Sequence, residues 1–252
     1  MMLRPFRMDL HIHTCLSPCG MSENVPTRII EEACERGLHA IGICDHNASE
    51  NVAAVCRAAE KSTIKVFGGI EVTTEEEIHI LALFENDEDL QNMQDLVYAN
   101  LAGLNDPEAF GQQYIVDQED YATGFNERLL MGATSLSLNR VLGAVHTRHG
   151  LSIASHIDRD AFSIMSQLGM IPDDLELDAV ELSRHYMNSQ FELGTIGFPR
   201  VTFSDAHQLD DIGLFYTSFT IEIPSIEEIQ KALQGLEGRA AHPESLCREG
   251  PF

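Results

Sequence analysis

Asp9-Leu10-His11-Ile12-His13-Thr14, near the start of the chain, and Phe203-Ser204-Asp205-Ala206-His207, near its end, decide how the fold is read. In a strand, residues two apart point to the same face. His11 and His13 therefore project together, and so do Asp205 and His207. Imidazole with carboxylate is the donor set for Zn²⁺, Mn²⁺ or Fe²⁺. Two such pairs predict the halves of one metal site, with more ligands supplied by the chain between them.

That chain alternates strand and helix signals. Residues 8–14 read as a strand. Pro26 suits the first turn of a helix that ends at Gly37. Strands follow at 39–44, 64–72 and 77–84, with helices at 49–61 and 87–104. A helix near 137–149 precedes a strand at 151–155, a helix at 160–169 and strands near 178–182, 200–204 and 214–223. Ser225 with Glu228 opens a closing helix in a capping-box pattern. Seven or eight strands separated mostly by helices imply a parallel sheet. No linker or repeat interrupts them. The expectation is α/β, one barrel domain over 1–252, with a lid or insertion at about 105–135, where the periodicity is weak.

The remaining candidate ligands fall in the same strands or just after them: His46 in Cys44-Asp45-His46-Asn47, Glu71 in Gly68-Gly69-Ile70-Glu71-Val72, His79 in Ile78-His79-Ile80 and His156 in Ser155-His156-Ile157-Asp158-Arg159. A lone histidine in an apolar strand is usually a hydrogen-bonded core residue. The ordered set asks for a common cause, and strand C-termini are where barrel sites are built.

In that order the motifs resemble the polymerase and histidinol phosphatase (PHP) superfamily, over residues 8 to about 222. The resemblance implies a distorted (β/α)7 barrel, two or three divalent metal ions (Zn, Mn or Fe) and a phosphoesterase activity. It assigns His11, His13, Glu71 and Asp205 to a first metal, Glu71, His79 and His156 to a second, and His46 and His207 to a third. Many members complete the third site with an aspartate or histidine soon after the His-x-His pair. Here that loop reads Thr14-Cys15-Leu16-Ser17-Pro18-Cys19-Gly20, and Cys19 lies nearest the position. A thiolate would shift preference from manganese toward zinc or iron; the alternative is that Cys19 only lines the loop. Asp9 and Asp45 would orient ligand imidazoles or other buried polar groups, or cap the next turn. Arg159 and Arg184 would dock a phosphate, with His185 beside the second; the alternative for each arginine is a surface ion pair.

Composition narrows the setting. The formal net charge is −24, with 16 Lys and Arg in 252 residues. Such a balance repels polyanions except at a local basic or metal-filled site. The expected partner is thus a small phosphorylated metabolite or nucleotide, with no long nucleic acid and no membrane. No apolar run approaches the roughly 18 residues of a membrane span, and no signal peptide is read, so a cytoplasmic location is the default. The six cysteines include no C-x-x-C pair and are expected as reduced thiols. The leading expectation is metal-dependent hydrolysis of a small phosphoester. The alternatives are a nuclease acting on short oligonucleotides and a metal-binding regulatory protein without turnover.

Overall fold

A computed structural model of the chain describes residues 2–184, 186 and 196–245. In chain order the elements are β1 (Arg4–Ile12), α1 (Pro26–Glu35), β2 (Ala40–His46), α2 (Val52–Ala59), β3 (Lys65–Thr73), β4 (His79–Phe84) and α3 (Asp87–Asn100). Then come the short α4 (Pro107–Phe110), β5 (Tyr114–Val116), β6 (Ala122–Phe125), α5 (Leu138–Thr147), β7 (Leu151–Ala154) and α6 (Ile164–Leu168). The last are β8 (Ala179–Leu182), β9 (Arg200–Thr202), β10 (Phe215–Ile221), α7 (Ile226–Leu233) and β11 (Ala240–Ser245).

One nine-stranded sheet among the described residues has the order β11-β10-β1-β2-β3-β4-β7-β8-β9. It curls back on itself. Just beyond β9, Ala206 bridges Ile12 in parallel, with His13 N–H on the Ala206 carbonyl at 2.9 Å and Ala206 N–H on that of His11 at 3.2 Å. Seven strands thus form a nearly closed barrel, and β10 and β11 extend antiparallel from β1. One apolar cluster joins residues of all seven, among them Phe6, Phe67, Leu81, Leu151, Ala179 and Phe203, with Ile226 and Ile229 of α7 packed on it. A second, including Ile41, Val72, Ile80 and Val180, meets the inner faces of α1, α2, α3 and α5.

Two departures from regularity position the site. The first is a bulge in β1. Asp9 pairs with Ile41 and Ile12 with Ile43, so Leu10 and His11 together oppose Gly42. Before the bulge the even residues Phe6, Met8 and Leu10 join the barrel-interior cluster; after it Ile12 joins the helix-facing one. One extra residue reverses the alternation and turns His11 and His13 inward. Gly42 makes room: a Cβ there would lie 2.4 Å from the Leu10 carbonyl oxygen.

The second departure is the direction of β4. The alternating pattern implies parallel strands, but β3 and β4 form an antiparallel hairpin, and β4 is antiparallel to β7 as well. The turn is tight, Thr74 N–H bonding to the Ile78 carbonyl with Glu77 at φ 59°, and leaves no room for a helix. His79, the first residue of a reversed strand, therefore stands on the rim where the parallel strands end. Residues 105–135 carry α4 and the β5–β6 hairpin. They are tied to the rim by Tyr114 N–H on the Cys15 carbonyl (3.1 Å) and by Asn47 Nδ2 on the carbonyls of Leu130 and Gly132.

Candidate metal centre

Glu71, near the end of β3 and fully buried, is the hub of the rim. Its Oε1 lies 2.9 Å from His79 Nδ1, 3.2 Å from His156 Nε2 and 3.5 Å from His11 Nε2. Its Oε2 lies 2.9 Å from His46 Nδ1 and 3.4 Å from His13 Nε2. Asp205 faces the same centre, its Oδ1 3.3 Å from His11 Nε2 and 3.2 Å from His13 Nε2. The bridge at Ala206 explains the convergence: it fixes Asp205 and His207 beside the β1 pair although the segments are far apart in sequence.

The neighbours set which ring nitrogens face inward. His11 Nδ1 donates to both oxygens of Glu181 (3.1 and 3.0 Å). His13 Nδ1 donates to Ser17 Oγ at 2.9 Å, and that hydroxyl donates to Asp45 at 2.6 Å. His207 Nδ1 donates to the Asp205 carbonyl at 2.8 Å. A nitrogen tied up in this way leaves Nε2 as the inward lone pair. The backbone is also strained here. Asp205 has φ 48°, His156 φ 29° and Asn47, beside His46, φ 51°, angles uncommon for non-glycine residues and often found where a site constrains the backbone.

These groups fit a cation. His11 and His13 bring Nε2 atoms to 3.2 Å, and Glu71 Oε2 and His79 Nδ1 are buried without a hydrogen-bond partner. With Nδ1 donating outward on both the His11 and His13 rings, neutral imidazoles would set two lone pairs against each other at that distance, which a proton or a metal cation between them relieves. Three sets place their ligand atoms within 4.8 Å of one another: His11, His13 and Asp205; His46, Glu71 and His79; and His13, His46 and His207. His156 reaches Glu71 but belongs to none of these sets, and neither does Cys19.

Protonation follows the same crowding. Burial opposes charge on His11, but Glu181, Asp205 and Glu71 outweigh it and hold its pKa well above the usual value. His46 is raised likewise, burial being overcome by Glu71 and Cys19. Burial lowers His13, with His207 and His46 adding to the effect, and burial takes His79 down to about 4. Glu71 and Asp205 stay ionised despite burial, held by the surrounding imidazoles. Burial would raise the Cys19 thiol, yet His46 and His207 bring it down to about 6.

Of the readings open for the supporting residues, Asp9 and Asp45 make the contacts to other buried polar groups. The bulge puts Asp9 out of line with His11. Asp9 instead accepts from Ser204 N–H (3.0 Å), Ser204 Oγ (2.6 Å) and Gly213 N–H (2.8 Å), anchoring the segment that carries Asp205. Asp45 does not orient its neighbour His46; it accepts from Thr14 and Ser17 and fixes the loop after β1. Glu181 went unrecognised in the sequence. Its only signal is a glutamate in the apolar strand Asp178-Ala179-Val180-Glu181-Leu182, where a buried charge needs a partner.

A cavity of about 140 Å³ opens on the centre, lined by His46, Glu71, His79, Met131, His156, Arg159, Phe162, Asp205 and His207. Arg159 Nη2 bonds Asp205 Oδ2 at 2.5 Å, which leaves its other N–H groups for a ligand. Arg184 is not among the lining residues. It pairs with Asp211 at 2.5 Å, the ion-pair reading of that residue. His185 lies outside the described residues. No helix among the described residues is long and apolar enough to cross a membrane.

Comparison with solved structures gives the lesion-specific endonuclease PfuEndoQ from Pyrococcus furiosus, at 18% identity and TM-score 0.73, covering 94% of this chain and 58% of that one. An Endonuclease Q complex with a 27-mer duplex bearing an abasic lesion at the active site matches at 17% identity and TM-score 0.70, with 94% and 58% covered. The present chain thus spans 58% of the length of these two. A Chromobacterium violaceum amidohydrolase with bound sulfate matches at 18% identity and TM-score 0.52, over 82% and 89% of the two chains. A Bifidobacterium adolescentis protein described as a metal-dependent phosphoesterase matches at 19% identity and TM-score 0.52, over 79% and 87%. Comparison with curated proteins gives no match.

The duplex complex overturns the expectation that long nucleic acid is excluded, because this barrel occurs in a protein that binds duplex DNA. The physical reason is that net charge is a sum over the whole surface, whereas a phosphate responds to the local field of the site. The family and the neighbours support a hydrolase with metal-binding residues. The PHP domain model matches residues 9–169, which carry every candidate ligand from His11 to His156, and the PHP-associated model matches 194–236, which carry Asp205 and His207: the chain belongs to the PHP domain family.

Proposed function

We propose that this protein hydrolyses phosphoesters at a multinuclear metal centre built around Glu71. The observation that carries the reading is the placement of Glu71: its two oxygens are each within 3.5 Å of different imidazoles, as a carboxylate shared between cations requires. His11, His13 and Asp205 would hold one ion with Glu71, and His79 and His156 a second. His46 and His207 would hold a third, with the Cys19 thiolate beside them. Divalent ions there supply Lewis acidity toward phosphoryl oxygens and bring water toward ionisation near neutral pH.

The chain's own groups do the rest. Glu181, Ser17 and the Asp205 carbonyl fix three imidazoles with Nε2 inward, so the cage is preorganised before substrate arrives. Arg159, braced on Asp205, offers its remaining guanidinium N–H groups to a phosphate oxygen.

A nucleic-acid phosphodiester is the second reading, favoured by the fold shared with Endonuclease Q. One panel separates the two: phosphate release from nucleoside monophosphates and histidinol phosphate, and cleavage of cyclic nucleotides and of duplex DNA with an abasic site, each with Mn²⁺ and after chelation. Hydrolysis that requires metal is expected, and the best substrate decides between the readings. Metal-loaded protein that cleaves nothing in the panel would refute the enzyme reading and leave a metal-binding protein without turnover.

A further inference from the structure

The floor of the cavity is charged, but its mouth carries two large apolar side chains, Met131 and Phe162, 42% and 39% exposed. Phe162 is the more demanding. It holds φ 55°, a conformation that glycine adopts freely and a bulky residue resists. Its carbonyl accepts the His79 N–H at 3.0 Å, which pins the turn to the rim. Its ring lies almost flat on the His79 imidazole, centroids 4.8 Å apart and planes 19° from parallel. Phe162 is also one of the residues that line the cavity. Arg159, three residues earlier, lines the same cavity. Glycine at 162 would relieve the strain and a polar side chain would remove the exposure. A residue serving only the fold has no need of either cost.

We infer that Phe162 is a stacking platform for a planar ring of the substrate. Resting on the phosphoesterase reading above, it makes the site select phosphoesters of nucleosides or other ring-bearing alcohols over esters of equal charge that lack a ring. The phosphate sits over the charged floor near Arg159, and the ring lies on the open side of Phe162 with the polarizable Met131 as a further wall. Every nucleobase has a π-face, so this contact favours a ring without choosing among bases.

The test is calorimetric binding of AMP and of ribose 5-phosphate to the metal-loaded full chain, wild type, Phe162→Leu and Phe162→Tyr, with metal content and kcat/KM measured alongside. Wild type is expected to bind AMP about tenfold more tightly than ribose 5-phosphate, the scale of one base–aromatic stack. Phe162→Leu should erase that ratio while ribose 5-phosphate binding and metal per chain stay unchanged, and Phe162→Tyr should keep it. Equal wild-type affinity for the two probes, or no binding of either, would overturn the platform. So would a Phe162→Leu protein that loses both affinities alike or sheds metal, since Phe162 would then act by supporting His79. A wild-type binding ratio without turnover would refute the phosphoesterase reading and leave the platform standing.

Discussion

Replacing Glu181 tests whether the metal cage is held from outside. The side chain is fully buried. It accepts from His11 Nδ1 with both oxygens, at 3.1 and 3.0 Å, and from the His156 backbone N–H at 3.2 Å. Glu181→Ala strands two buried donors, each costing about 1–3 kcal/mol, so a loss of about 2–6 kcal/mol is expected in urea unfolding of the metal-free protein. It also frees the His11 ring to rotate and removes the carboxylate that holds its proton at Nδ1. Outer partners of metal-bound histidines are worth about 10–100-fold in metal affinity. Glu181→Gln, which keeps the volume and one acceptor, should fold and still lose affinity on that scale in a zinc or manganese titration. A folded Glu181→Gln protein with wild-type metal affinity would refute the claim that Glu181 orients His11.

Four further outcomes are expected. His13→Ala or Asp205→Ala should abolish hydrolysis with circular dichroism unchanged; either variant retaining most of the activity would remove the first metal position from the reaction. Cys19→Ser should lower occupancy of one metal more than of the others, and an unchanged metal stoichiometry would make Cys19 a loop residue only. Gly42→Ala should destabilise by about 1–3 kcal/mol in urea, because the new Cβ meets backbone that must shift, and a wild-type midpoint would show the bulge to be slack. His146, hydrogen-bonded to Asp178 at 3.1 Å with Ser152 and Glu176 also facing it, has its pKa raised above 6.5, first by the Asp178 bond. Its contribution to stability is therefore complete below about pH 6.5 and fades as pH rises through the folded-state value. His146→Gln should flatten that part of the pH–stability curve, and an unchanged slope would contradict the pairing.

Much of the fold was legible because strand and helix periods were clean. The strands at 39–44, 64–72, 77–84 and 151–155 and the helices starting at Pro26 and Ser225 match the structure to within a few residues. The pairs at His11 and His13 and at Asp205 and His207 were readable as single-face projections. Two features were not. A bulge that adds one residue leaves the composition of β1 unchanged, so nothing in Asp9-Leu10-His11 announces that Asp9 and His11 part company. The reversal of β4 depends on a tight turn at Thr74–Ile78 built without glycine or proline, the residues that usually mark such turns. Partners such as Glu181 and Ser17 were hidden for a third reason. Glu181 bonds His11 across the barrel mouth, a closeness that arises only when the sheet closes, and Ser17 meets His13 and Asp45 only through the fold of the loop after β1.

The most direct measurement is the metal content of the full chain and of Glu71→Gln after loading with zinc or manganese and desalting. Two or three ions per chain are expected for wild type, with at least one lost in the variant, because both oxygens of Glu71 face ligand groups. A wild-type protein that retains no ion, or a Glu71→Gln protein that retains them all, would contradict a centre built around this carboxylate.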